Sequence, residues 1–268
     1  MFSKVNVSPT CSKLIFTSWH VAKQTANLHC AGCRWAKRKS AAPYAGKSQS
    51  SRDWLKRQHS DPYVRFSVQQ RYRARSAFKL IEIDDRFRIL HPGDHVIDCG
   101  AAPGSWTQVA VERVNTDHRA QTSTDLPRGR VISVDRSAIA LVPGATILSG
   151  CDMLSPETHE KLKATLDGSQ ADVILSDMSP NATGEHALDH ERSMHLVNSV
   201  LSVCITHGLL KHHGTLLTKI LHGVHTQSLV KLLREHFETV NTVKPAASRA
   251  ESSESFILAL RFNKCDSN

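Results

Sequence analysis

The sequence predicts an α/β protein built on a mostly parallel sheet of seven strands, with an antiparallel last strand and helices on both faces. Three observations carry that prediction. Short apolar runs of strand length alternate with helix-periodic stretches, the pattern of βαβ units. Several of the runs end in an acid or a glycine, as strands do where they open onto a ligand crevice. Two strand-like runs follow one another at the C-terminal end, which asks for an antiparallel partner.

In chain order, residues 53–88 are polar and helix-compatible, and 76–83 read as an amphipathic helix with Phe78, Leu80, Ile81 and Ile83 on its apolar positions. Residues 95–99 form a short apolar strand that enters a glycine loop, with a helix over 106–114 behind it. Further strands are expected at 130–135, 145–149, 171–177 and 214–220. A long helix spans 188–209 and stops near Gly208, since glycine favours helix ends. A helix over 227–236 and strands at 239–243 and 255–261 close the chain. Residues 115–129 form a polar surface loop, long for such a fold.

The 268 residues carry a net charge of +9, and its position matters more than its size. Nine of the 34 basic residues lie in the first 52, which hold none of the 25 acids, so the remainder has 25 of each sign. An acid-free, basic segment rich in Ser, Thr and Ala has the composition of an organelle transit peptide, and 1–52 are expected to be a disordered mitochondrial leader. A basic arm that touches RNA is the other reading of the same segment. The folded body is expected over 53–268. No apolar run approaches the ~18 residues of a membrane span. The seven cysteines (Cys11, Cys30, Cys33, Cys99, Cys151, Cys204, Cys265) are scattered and odd in number, against a disulfide framework. Cys30 and Cys33 have zinc-knuckle spacing but no second pair, so no metal site is expected.

The loop Gly100-Ala-Ala-Pro-Gly-Ser-Trp106 follows a strand and opens a helix, the Rossmann-like arrangement for a nucleotide. Its small residues allow close backbone approach. Pro103 removes an N–H that a pyrophosphate would use, which argues against a dinucleotide and suits an adenosine cofactor with an amino-acid end. S-adenosyl-L-methionine is such a molecule. Asp135, ending the second strand, is placed for the ribose hydroxyls, and Asp152, after the third, for the adenine amino group.

Three segments together resemble the FtsJ/RrmJ family of ribosomal RNA 2′-O-ribose methyltransferases. They are Asp98-Cys-Gly-Ala-Ala-Pro-Gly-Ser-Trp106, Ser176-Asp-Met-Ser-Pro-Asn181 and Lys244-Pro-Ala-Ala-Ser-Arg249. The resemblance spans about Arg71 to Phe262 and implies a class I methyltransferase fold. It places a catalytic set on Lys79, Asp177, Lys219 and Glu254 and cofactor contacts on Gly104, Trp106, Asp135, Asp152 and Asp177; the loop residues Gly100, Ala102, Pro103 and Ser105 are expected to join them. Ser105, where bacterial members tend to carry Gly, and the long 115–129 loop are departures. With the acid-free leader, the likeness is greatest to the mitochondrial branch. That implies action in the mitochondrial matrix on a uridine of large-subunit rRNA or a precursor ribosomal particle; a monomer is expected.

The chemistry asks for such a set on its own account. A ribose 2′-hydroxyl must lose its proton as it attacks a methyl sulfonium. A lysine serves as general base only while neutral, yet free lysine has a pKa of ~10.4, so desolvation and a second ammonium have to help. Lys219 is assigned as base, with Lys79, Asp177 and Glu254 positioning it. Neither a [DNS]-P-P-[YFW] motif nor a Pro-Cys pair is present, so oxygen is the expected acceptor rather than nitrogen or carbon. The basic, aromatic stretch 54–79 fits either an RNA-tracking surface or a helical segment with its own core. A nicotinamide oxidoreductase, an assembly factor acting by binding, and a tRNA or mRNA-cap 2′-O-methyltransferase are the rival classes.

Overall fold

The computed structural model describes residues 48–114 and 126–263. Three helices come first, α1 (Gln49–Ser60), α2 (Pro62–Gln69) and α3 (Ala77–Phe87). Then follow β1 (His95–Cys99), α4 (Ser105–Arg113), β2 (Arg130–Asp135), β3 (Ala145–Ser149), α5 (Pro156–Leu166) and β4 (Ala171–Ser176). The rest is α6 (His186–Cys204), β5 (Leu210–Leu221), α7 (Thr226–His236), β6 (Phe237–Val243) and β7 (Glu254–Phe262). One seven-stranded sheet has the order β3-β2-β1-β4-β5-β7-β6. β1 to β5 pair in parallel, while β7 runs antiparallel to both β5 and β6.

Strand side chains alternate between faces, and that period of two sorts the core. Ile97, Ile132, Ile174, Leu216 and Ile257 face α5, α6 and α7, in one cluster with Leu162, Val197, Val200 and Leu229. Val96, Val131, Leu175, Leu217 and Phe256 face the other way, packing with Leu80, Ile83, Trp106 and Val109 of α3 and α4. Each such side chain contributes about 1.5–3 kcal/mol on burial. Continuing the second face toward the ligand end of the strands gives Asp98, Asp177, Lys219 and Glu254 in place of hydrocarbons. Burial there makes each charge depend on a partner.

Two boundaries differ from expectation. The helix expected over 188–209 ends at Cys204, and the strand expected from 214 begins at Leu210. The Leu209 N–H turns back to the Val203 carbonyl at 3.1 Å, and Gly208 takes φ 60° in the turn between. Lys211, His212 and His213 hide the start of the strand, because apolar periodicity is missing there; Lys211 is held instead by Asp172 at 2.7 Å. α5 was not expected at all. Its inward side is only His159, Leu162 and Leu166 with Thr158, too little apolar signal to register.

α1 begins at Gln49, inside the segment whose composition reads as leader. The Cys30/Cys33 pair, Cys11, Cys265 and residues 115–125 of the long loop lie outside the described residues. Among the described residues no helix is long and apolar enough to cross a membrane.

Candidate active site

The sheet order reverses at β1, with β2 on one side and β4 on the other, and a crevice opens there beyond the strand ends. It is a cavity of about 650 Å³. Gly100 and Ala102 from the glycine loop, Asp135 from β2, Asp152 after β3 and Asp177 after β4 all border it. Arg136, Ser137 and Cys151, Met153 and Leu154, Met178 to Asn181, and Arg192, His195 and Leu196 on α6 complete the wall. Of these, only the first five were predicted; the α6 residues gave no sequence signal beyond lying on a polar helix stripe.

The loop is held from within. The Ala102 N–H donates to Asp135 Oδ2 at 2.9 Å, and the Ser137 N–H to Oδ1 at 2.7 Å. Asp135 thus fixes the loop to the end of β2 while it borders the cavity. Asp152 Oδ1 accepts from the Leu154 N–H at 2.9 Å. Gly100 has φ 75°, and a Cβ there would overlap the Met178 side chain. Gly104 has φ 107°, and a Cβ there would meet the Arg73 guanidinium. That guanidinium bonds the carbonyls of Pro103 (2.9 Å), Ala140 (2.7 Å) and Leu141 (2.6 Å), tying the loop to the segment before β3.

Four predicted contact residues do not face the cavity with their side chains. Trp106 is 2% exposed; its indole N–H donates to the Ser76 carbonyl at 2.8 Å and its ring lies against Phe256. The Ser105 hydroxyl pairs with the Ser76 hydroxyl at 2.7 Å. Gly104 is buried under Arg73, and Pro103 stands outward. The Ser105 and Trp106 side chains thus belong to the packing between α3 and α4, and neither borders the cavity. Both residues open α4, where N–H groups have no acceptor a turn earlier.

Beside the cavity lie the four charges. Lys219 Nζ donates to Asp177 Oδ1 at 2.8 Å and to the Asp177 backbone carbonyl at 2.7 Å. Lys79 Nζ lies 2.6 Å from Glu254 Oε1 and 3.9 Å from Asp177 Oδ1. Lys219 and Glu254 Oε2 are 3.8 Å apart. The side chains are only 7–16% exposed, so cations and carboxylates alternate in a nearly closed ring. Burial works to raise the Glu254 carboxyl, but the charges of Lys79 and Lys219, with hydrogen bonds from Lys79 and Ser248, outweigh it and leave the group below its usual range.

A brace outside the ring sets its geometry. The Ser248 hydroxyl donates to Glu254 at 2.9 Å, and the Ala247 N–H to Glu82 of α3 at 3.1 Å. Arg75 reaches both Asp61 and the Ala247 carbonyl, and Arg249 lies 3.7 Å from Asp61. The 244–249 motif thus clamps β7 to α3, which carries Lys79. Arg73 and Arg75 are spent inside the protein, and Tyr63, Tyr72 and Phe78 pack on one another. For those residues of 54–79 the core reading holds; Arg65 and Arg71 remain exposed. Asp98 is fully buried beneath the loop. Thr107 donates to its Oδ2 at 2.7 Å, Oδ1 has no partner, and burial, with Asp177 and Asp135 nearby, pushes its pKa up to about 7.

A doubly wound sheet with an antiparallel seventh strand, an acid-lined crevice at the switch point and a glycine turn at its floor defines a Rossmann-like, class I methyltransferase fold. Residues 72–262 match the model of the FtsJ-like methyltransferases. The "rRNA methyltransferase 2, mitochondrial" of Drosophila melanogaster is 41% identical over 93% of this chain and 97% of its own. The "Ribosomal RNA large subunit methyltransferase E" of Parvibaculum lavamentivorans is 45% identical over 81% of this chain and 83% of its own. A crystal structure of a putative ribosomal RNA methyltransferase from Plasmodium falciparum superposes with a TM-score of 0.60 at 27% identity, covering 72% of this chain and all of that one. The chain belongs to the FtsJ-like methyltransferase family.

Proposed function

We propose that the protein transfers the methyl group of S-adenosyl-L-methionine to a ribose 2′-hydroxyl of mitochondrial large-subunit rRNA, at a uridine, in the mitochondrial matrix. The observation that carries this reading is the ring of Lys79, Asp177, Lys219 and Glu254 next to the acid-lined cavity, sharing Asp177 with it. The acid-free leader and the likeness to the Drosophila and Parvibaculum rRNA methyltransferases support the rRNA and the compartment. On this reading 1–52 is the targeting leader and 53–268 the catalytic domain.

The residues present fit the cofactor. Asp135 and Asp152 offer acceptors to hydroxyl and amino groups, and Asp177 adds negative charge where a sulfonium would lie. Gly100 and Ala102 leave room for close approach, and the open N–H groups of Ser105 and Trp106 suit a carboxylate. When bound, the cofactor supplies an electrophilic methyl group beside the acceptor oxygen.

The protein's own work is then on the proton. A neutral amine has two N–H bonds and one lone pair. Both Lys219 N–H directions are taken, by the Asp177 carboxylate and carbonyl, which leaves the lone pair for the hydroxyl proton. Lys79, held by Glu254, places a positive charge where the 2′-oxygen becomes anionic. Glu254 holds both lysines within 4 Å and so fixes their spacing. General-base catalysis of this kind contributes about 10²–10⁴-fold, and alignment of the reacting atoms much of the rest.

The test is transfer of labelled methyl to mitochondrial large-subunit rRNA or precursor particles, followed by mapping of the modified position. Label on a 2′-oxygen is expected, lost in Lys219→Ala. Label on a base, or full transfer without Lys219, overturns the reading.

A further inference from the structure

The cavity has two chemically different ends, and the proposed reaction uses only one. Its floor and acid wall are accounted for by Gly100, Ala102, Asp135, Asp152 and Asp177. Another part of the wall is α6, whose inward stripe is His190, Ser193, Val197 and Leu201. Arg192 and His195 lie one turn apart beside that stripe, so both project along the cavity's edge rather than into the core. Both are exposed, and among the described residues neither has a hydrogen-bond or ion-pair partner.

The acid one turn earlier on the same helix does not claim the arginine. Asp189, one turn earlier, accepts from the Thr183 N–H and hydroxyl at 2.8 Å each and from the Gly184 N–H at 3.3 Å. Those bonds, the Thr183 N–H first, hold its carboxyl below the usual range, and Arg192 adds only the smallest push. The carboxylate is thus occupied by the turn before α6. A guanidinium and an imidazole, without hydrogen-bond partners at the rim of a cavity next to the transfer site, can both donate to an anion.

We propose that Arg192 and His195 form a phosphate-binding subsite, taking the backbone phosphate beside the ribose presented to Lys219. This rests on the reading of the substrate as RNA. A guanidinium suits phosphate oxygens because it donates in a planar fork, and exposure lets the phosphate keep part of its water. The cofactor's carboxylate is the other anion at hand. The start of α4 offers a carboxylate open N–H groups of its own. The subsite would give the sequence-independent grip that fixes register, leaving the base unread.

The experiment is equilibrium binding of the full chain to a labelled rRNA fragment holding the acceptor ribose, with S-adenosylhomocysteine present, across a range of salt. Arg192→Gln and His195→Gln are compared with the parent, and S-adenosylhomocysteine affinity is measured separately. For Arg192→Gln, RNA affinity is expected to fall about tenfold, with the salt slope shallower by about one phosphate contact. Arg192→Lys should keep the slope but not the full affinity, since it holds the charge without the fork. Cofactor affinity should stay put in all three. Weakened cofactor binding with unchanged RNA binding assigns the pair to the carboxylate and overturns the proposal, as does unchanged RNA binding throughout. The two readings fail separately: a parent that binds this RNA but labels a base refutes the ribose reaction and leaves the subsite standing.

Discussion

The glycine loop and the charged ring border one crevice but are built by opposite rules. The loop works through backbone: Ser105 and Trp106 turn their side chains into the core, and Gly100 and Gly104 are defined by the atoms that leave no room for a Cβ. The ring works through side chains carried on regular elements, Lys79 on α3, Lys219 on β5 and Glu254 on β7, with Asp177 one residue past β4. A change in the loop should therefore act on stability and on the shape of the cofactor pocket. A change in the ring should act first on the reaction, with a cost in stability where it strands a buried charge but no change of fold. Two motifs that look alike as strings of letters have different physical content.

The largest effect tests the ring. Lys219→Ala should lower the rate of methyl transfer by about 10²–10⁴-fold, the usual worth of a general base. Circular dichroism should show the secondary structure kept, since Lys219 sits at the ligand end of β5 and not in its apolar middle. If activity disappeared only in step with unfolding, the contrast between the two regions would collapse. Trp106→Ala is the converse. It removes a 2% exposed ring that packs on Phe256, and should cost about 3–5 kcal/mol, read as a fall in Tm or denaturant midpoint. Transfer by the fraction still folded should persist if the side chain serves the core alone.

That contrast marks what the sequence made legible. The strand-end acids were readable because period-two alternation and short apolar runs fix where each strand stops, so Asp135 and Asp177 fall at the crevice by position alone. The meeting of Lys79 with Glu254 was not readable from spacing. They are 175 positions apart and come together only because β7 inserts beside β5 and α3 lies across that face. The family resemblance supplied that pairing. The side-chain direction of Trp106 was equally hidden, because a motif letter does not say whether its side chain or its N–H matters. The bracing of Ala247 by Glu82 and Arg75 left no local signal, since it joins a loop to two helices distant in sequence.

Asp98 sharpens the comparison through pH. Its carboxyl lies beneath the loop with one oxygen unpartnered, and burial raises its pKa to about 7, above the ~3.9 of an unfolded aspartate. The folded state thus holds the extra proton between those values. Its penalty is absent below the unfolded pKa and complete above the folded one, so this group lowers stability as pH rises from about 4 to about 7. Asp98→Asn should flatten that part of a stability-against-pH curve. Glu254 has the opposite sign. Held below the usual range, it contributes stability above the unfolded carboxylate pKa of ~4.3 and loses it as pH falls through its folded value. Glu254→Gln should remove that acid-limb term while lowering transfer at every pH, and unfolding curves from pH 3 to 8 for both variants separate the two signs.

The smallest effect concerns Arg73, a side chain that, like Asp135, serves the loop by charge. Arg73 spans three carbonyls and closes over Gly104, yet its guanidinium is partly exposed. Hydrogen bonds from a charged donor are worth about 1.5–3 kcal/mol when buried, and solvent here reduces them, so Arg73→Gln should cost about 1 kcal/mol. The carbonyls it leaves, on Pro103, Ala140 and Leu141, can turn to water, which is why the cost stays small. What should move further is affinity for S-adenosylmethionine, because Arg73 holds the glycine loop to the segment that leads into β3 and on to Asp152. A several-fold weaker Kd with little change in Tm would place Arg73 in the shaping of the pocket. A Tm loss with unchanged Kd would return it to the packing of the loop, and the rule that the loop acts through backbone alone would then hold without exception.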